Sequence, residues 1–127
     1  MSRRIVSTTE APAAIGPYSQ AVRAGNTVYL SGQIPLDPAT GEVVPGGVAE
    51  QAEQAFTNLA AVARAAGGSL ADCVKLTLFL TDLGQFATVN EVMKRHFAEP
   101  YPARSTVEVS GLPKGVSFEV EAVMVLG

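Results

Sequence analysis

At 127 residues the chain has the length of one domain, able to bury roughly two thirds of its unfolded surface. Its 47% apolar and 17% charged residues, with no charge block or low-complexity tract, exclude a disordered chain and predict folding throughout, the first few residues excepted. A net charge of −3 and scarce aromatics argue against a nucleic-acid surface, whose signature is clustered Lys and Arg.

"MSRR" carries the charge of a signal-peptide start, but "IVSTTEAP" follows without an apolar segment. No stretch reaches the length of a membrane span, so no membrane partner is expected. Cys73 is the single cysteine, which excludes an intramolecular disulfide and fits a reducing cytoplasm, the predicted location. With one cysteine and one histidine, Cys73 and His96, the usual zinc ligand set is missing.

In chain order, "AVRAGNTVYLSGQI" predicts two strands joined by a turn at Gly25 and Asn26. In the second strand Val28 and Leu30 are expected on one face, with Tyr29, Ser31 and Gln33 on the other. Gly32 leaves room beside Ser31 for backbone or ligand. "PLDPATGEVVPGG" predicts a turn-rich loop. From Val48 to Ala66 the apolar spacing is that of an amphipathic helix, with Glu50 and Glu53 in its first turns and Gly67-Gly68 as its stop.

"CVKLTLFLT" alternates as a central strand. Asp82 then caps a predicted second helix whose buried stripe is Phe86, Val89, Met93 and Phe97, with Asn90 on the same stripe. "PYPARSTVEV" turns into a strand in which Arg104, Thr106 and Glu108 share one face. Val107 and Val109 share the other, expected to be the core side. After an "LPKG" turn, "VSFEVEAVMVL" ends apolar on both sides and is expected to be covered on both. This order predicts an α+β domain spanning 1–127, two helices on one face of a mixed sheet, with an oligomer covering any remaining apolar face.

Several residues could carry chemistry. Arg104 is either a solvated arginine or a clamp whose planar fork holds a carboxylate by two oxygens. Glu121 lies where the last strand turns apolar, and a partly buried carboxylate there suits work on water, whereas Glu119 reads as an exposed strand-edge residue. Asn90 is a satisfied core amide or a pocket contact, and Tyr18 after the rigid "GP" places a hydroxyl over a cleft or packs its ring. Ser31 lacks a nucleophile-elbow motif, and Thr106 reads as an ordinary strand threonine. No phosphate-loop, dinucleotide, zinc or calcium motif occurs.

The blocks "IGPYSQAV", "SGQIPLDPATGE", "DLGQFATVNEV", "PARSTVEVSGLPKG" and "EVEAV" resemble, in this order, those of the RidA (YjgF) family of reactive-intermediate deaminases. The likeness runs from about Ala14 to Val125. It implies a chorismate-mutase-like fold, a homotrimer with pockets between subunits, and hydrolysis of 2-iminopropanoate and 2-iminobutanoate to 2-keto acids and ammonia without cofactor or metal. It further implies catalytic roles for Arg104, as the carboxylate anchor, and for Glu121, as the residue that positions water. Tyr18, Ser31, Gly32, Asn90 and Thr106 would be substrate contacts. The chain departs at Thr106, where many bacterial members carry a cysteine, so pocket polarity differs there. Two other activities fit such a chain: non-catalytic binding of small keto acids through Arg104, and the RNA cleavage attributed to some relatives.

Overall fold

A computed structural model describes residues 3–127. The chain forms β1 (Arg3–Val6), β2 (Ala21–Ala24), β3 (Thr27–Gln33), α1 (Val48–Ala65), β4 (Cys73–Leu80), α2 (Phe86–His96), β5 (Ala103–Glu108) and β6 (Phe118–Val125). Among the described residues six strands make one mixed sheet in the order β1-β2-β3-β6-β4-β5, with the β4/β5 pair parallel and the others antiparallel. The α+β architecture expected from the sequence is therefore present, with one addition. Arg3–Val6 pairs with β2 and extends the sheet at its edge, although its residues are exposed apart from Val6.

The predicted hairpin closes at Gly25, whose φ of 62° lies where glycine has no steric cost. Past it, β3 departs from simple alternation. The register between β3 and β6 shifts between Leu30 and Gln33, so Gln33 turns into the interior with Val28 and Leu30 instead of sharing the face of Tyr29. One extra residue in a bulge reverses the alternation beyond it.

Helix α1 starts at Gly47, whose amide donates to Glu50 Oε1 at 2.8 Å. It stops where the Gly67 and Gly68 amides donate to the carbonyls of Arg64 and Ala63. Between these ends Ala52, Ala55, Phe56, Leu59 and Val62 are fully buried against the sheet, each larger side chain contributing about 1.5–3 kcal/mol by leaving water. Opposite them lie Leu76, Leu78 and Leu80 of β4 and Phe118, Val120 and Met124 of β6. Asn58, also fully buried, donates to the carbonyls of Ile34 and Leu36 and ties the loop after β3 to the helix.

Asp82 caps a short 3₁₀ turn at Leu83–Gln85, accepting from the Gly84 amide, and α2 begins only after it. Val89, Val92, Met93 and Phe97 are buried, while Phe86 remains partly exposed. At its other end Lys94, Arg95 and His96 complement the helix dipole. His96 stacks on Phe56 at 5.4 Å, and its Nε2 lies 2.9 Å from Glu53 Oε2, linking the two helices.

Both helices pack on one face, which leaves the other face of the sheet open in a single chain. Tyr29, Val107 and Val125 are exposed there, with Phe79, Val123 and Thr77 between them. The expectation that the end of β6 is covered on both sides is thus not met within one chain. The open side of β6 carries Val123 and Val125.

Candidate functional site

Register in the sheet decides where each candidate points. In the parallel β4/β5 pair Leu76 is opposite Arg104 and Leu78 opposite Thr106. Leu76 and Leu78 are buried under the helices, so Arg104 and Thr106 lie on the helix-covered face. The expected alternation holds, but the assignment of faces is inverted. Val107, opposite Phe79, looks out from the open side and is exposed, because both helices lie on the other face.

Arg104 is held rather than loosely solvated. Its Nη1 donates to Asn90 Oδ1 at 2.7 Å and touches Met93 Sδ at 3.6 Å. Its guanidinium carbon sits 5.1 Å from the centroid of the Phe86 ring, within cation-π range. Phe86, read from the sequence as core, is instead a platform beneath the cation. Asn90 is the predicted stripe amide, now with a partner on the neighbouring strand. A cleft of about 450 Å³ opens beside these groups, lined by Asn90, Met93, Lys94, Tyr101, Pro102 and Arg104. The Thr106 hydroxyl is buried and has no hydrogen-bond partner among the described residues, which is unusual for a polar atom.

The other candidates lie elsewhere. In β6, Glu119 pairs with Phe79 and Glu121 with Thr77, on the face opposite to Leu78 and therefore opposite to Arg104. One chain does not bring Arg104 and either glutamate together. The two carboxylates also differ from expectation. Glu121 is exposed, and Glu119 is the half-buried one. Burial first, and the nearby Glu121 second, raise the Glu119 carboxyl above its ordinary 4.5.

Glu119 is the residue that sequence reasoning missed, and its signal lies on another strand. Gly32, in the β3 bulge, leaves space that the Glu119 carboxylate fills: a Cβ on Gly32 would overlap Oε2 and approach Cδ to 3.0 Å. Ser31 next to it donates its hydroxyl to the Ser19 carbonyl at 2.6 Å, anchoring the bulge to the segment that carries Tyr18. Tyr18 itself is exposed, and lines a separate cleft with Ser19 and Gln20. That segment is fastened by buried Gln20, which accepts from the Thr8 amide at 2.7 Å and donates to the Pro12 carbonyl at 2.8 Å.

The candidates therefore fall into two half-sites. One, on the helix side of β5, has an oriented cation, an amide and an apolar wall. The second lies on the bulge and the open sheet face, where a carboxylate readier than usual to hold a proton sits against a glycine.

The fold is an α+β domain with an oriented arginine on the strand at one edge of its sheet. Residues 8–126 match the family described as Endoribonuclease L-PSP, and the chain belongs to it. Among curated relatives, the 2-iminobutanoate/2-iminopropanoate deaminase of Bos taurus is 52% identical over 98% of this chain and 91% of its own length. The solved RidA of an Antarctic Psychrobacter is 51% identical with a TM-score of 0.94, covering 97% of this chain and 99% of that one. Escherichia coli TdcF, solved with bound serine, is 48% identical with a TM-score of 0.92, covering 98% and 99% of the two chains.

Proposed function

We propose that this chain hydrolyses 2-imino acids, 2-iminopropanoate and 2-iminobutanoate among them, to 2-keto acids and ammonia. The observation that carries the reading is the Arg104 fork, held by Asn90 over Phe86 at the mouth of a cleft. Such a fork takes a carboxylate by two oxygens and so fixes the adjacent C=N carbon. The names of the Bos taurus relative and its counterpart in Homo sapiens support it.

The site closes between subunits of a homotrimer, the Arg104 half of one chain meeting the Gly32 and Glu119 half of a neighbour. Two features support this arrangement. The half-sites face opposite sides of the sheet, and the open face that would be covered is apolar at Tyr29, Val107 and Val125. Ser31 and Tyr18 then become substrate contacts, and Thr106, two residues from Arg104 on the same face of β5, becomes a further one.

In this mechanism Arg104 anchors the substrate carboxylate. Glu119 holds a water against the imine carbon and takes its proton as the C–O bond forms. The proton passes to nitrogen, and the carbinolamine expels ammonia as the C=O bond closes. No covalent enzyme intermediate forms. Glu119 takes the water-positioning role in preference to Glu121, because half-burial raises its basicity toward the operating pH. Glu121 strengthens it as a neighbouring like charge. A thousandfold acceleration needs about 4 kcal/mol, which positioning and one acid-base group can supply. The cytoplasm, suited to the free buried Cys73, is the proposed compartment.

RNA cleavage, which the family description names, has less support. The chain is acidic, and its one imidazole is engaged with Glu53 and Phe56. The deciding experiment generates imine with an amino-acid oxidase and follows its decay by absorbance. Faster decay with the wild type, and not with Arg104→Ala, is expected; equal decay with and without protein would leave only a carboxylate-binding protein.

A further inference from the structure

We propose that the Arg104 cleft contains a second anion subsite at Lys94, and that the enzyme accepts 2-imino diacids of four or five carbons as well as monoacids. The inference rests on the deaminase reading for its chemistry, not for its geometry.

Lys94 follows Asn90 by four residues on α2, which puts both on one helix face, with Cβ atoms about 5–6 Å apart. Asn90 is the direct partner of Arg104, so the Lys94 ammonium is the next cation along the same wall, and both line the cleft. Met93 and Pro102 line the same cleft and supply apolar surface. Two cations and an apolar wall in one cleft suit a short chain with a carboxylate at each end. Tyr101, half-exposed at the rim, adds a hydroxyl.

The cleft, about 450 Å³, falls in the range of small-molecule sites. Among the described residues Lys94 makes one ion pair. Its contact with Glu91 is 3.6 Å long, between side chains 61% and 68% exposed, and such pairs hold weakly. The ammonium can exchange Glu91 for a ligand carboxylate at little cost. Arg104 gives only Nη1 to its protein partners, leaving donors for the first carboxylate. Hydrolysis of the diacid balances as for the monoacid: water adds to the imine carbon, ammonia leaves, and a 2-oxo diacid remains.

The test is calorimetric, with the 2-oxo acid products, so that it does not depend on turnover. At low salt the wild type should bind 2-oxopentanedioate about tenfold more tightly than pyruvate, the scale of one charge-assisted contact. Lys94→Met should remove that ratio, Lys94→Arg should keep it, and Glu91→Gln, which frees the ammonium, should increase it. Raising ionic strength should shrink it. A wild-type ratio near one, or a ratio that survives Lys94→Met, would overturn the subsite. If the ratios behave as expected while imine decay is unaffected by the protein, the subsite stands and the deaminase reading fails.

Discussion

Replacing Gly32 by alanine separates the chemistry of the bulge from its stability. The added Cβ would overlap Glu119 Oε2 and come within 3.0 Å of Cδ and 3.3 Å of Cγ. Carbon contacts settle at roughly 3.5–4.0 Å, so the carboxylate must retreat by about an ångström. That is a side-chain movement. Gly32 is not among the positive-φ glycines, so alanine adopts its backbone without strain. Its gain of about 0.4–1 kcal/mol from the stiffer unfolded chain offsets a rotamer cost of about 0.5–1.5 kcal/mol in Glu119. Thermal unfolding at matched protein concentration should stay within about 5 °C of wild type. The rate should fall about a hundredfold, the scale of an ångström misplacement at a reacting centre. Because the loss acts through Glu119, Gly32→Ala in a Glu119→Gln background should cost far less. The assay is oxidase-coupled imine decay on the four proteins. Full activity in Gly32→Ala, or effects that simply add, would show that the carboxylate beside the bulge is not the group holding water.

Other expectations follow from the same contacts. Arg104→Lys should lose most turnover, because a point charge cannot replace a fork fixed by Asn90 and Phe86; steady-state kinetics reading near-normal kcat/KM would remove the clamp. Burial and Glu121 raise folded Glu119 above 4.5, so the folded chain holds more protons than the unfolded one just above that pH. Stability from this group is full below 4.5 and is lost as pH rises through the folded value. Glu119→Gln should therefore gain relative to wild type in urea melts between acid and neutral pH, and Glu121→Gln should move the acid limb of the rate profile downward. Cys73 is buried, and burial first and Asp72 second push its thiol up to about 11. Iodoacetamide at pH 8 should label it in urea and spare it in the native protein, as mass spectrometry can show. Asn58→Ala should cost about 2–4 kcal/mol by leaving the Ile34 and Leu36 carbonyls without their buried donor, measurable by denaturant unfolding.

Much of this architecture is legible along the chain, for local reasons. The α1 stripe from Ala52 to Val62 repeats over several turns, and one period accounts for it. Strand β1 has four residues, three of them exposed, so no apolar pattern marks it. Alternation in β5 correctly separates Arg104 from Val107, yet it cannot say which side the helices cover. That follows only from the pairing of Leu76 with Arg104.

The site shows the same division. Arg104 and Asn90 are recognisable by residue type and position, and the structure joins them. Glu119 and Glu121 stand two apart on one strand and look equivalent in sequence. What distinguishes them is the shifted register between β3 and β6, which sets Gly32 against Glu119. Phe86 obeys helical spacing like any core residue, and only the fold places a guanidinium above it.

The central claim is that Arg104 and Glu119 act together although one chain holds them on opposite faces of its sheet. It is tested most directly by co-expressing Arg104→Ala and Glu119→Gln chains and measuring imine decay on the mixed assemblies. Sites shared between chains predict recovery of about one quarter of wild-type activity at equal mixing, since that fraction of interfaces pairs an intact arginine with an intact glutamate. Activity no greater than the sum of the two variants alone would contradict the shared site.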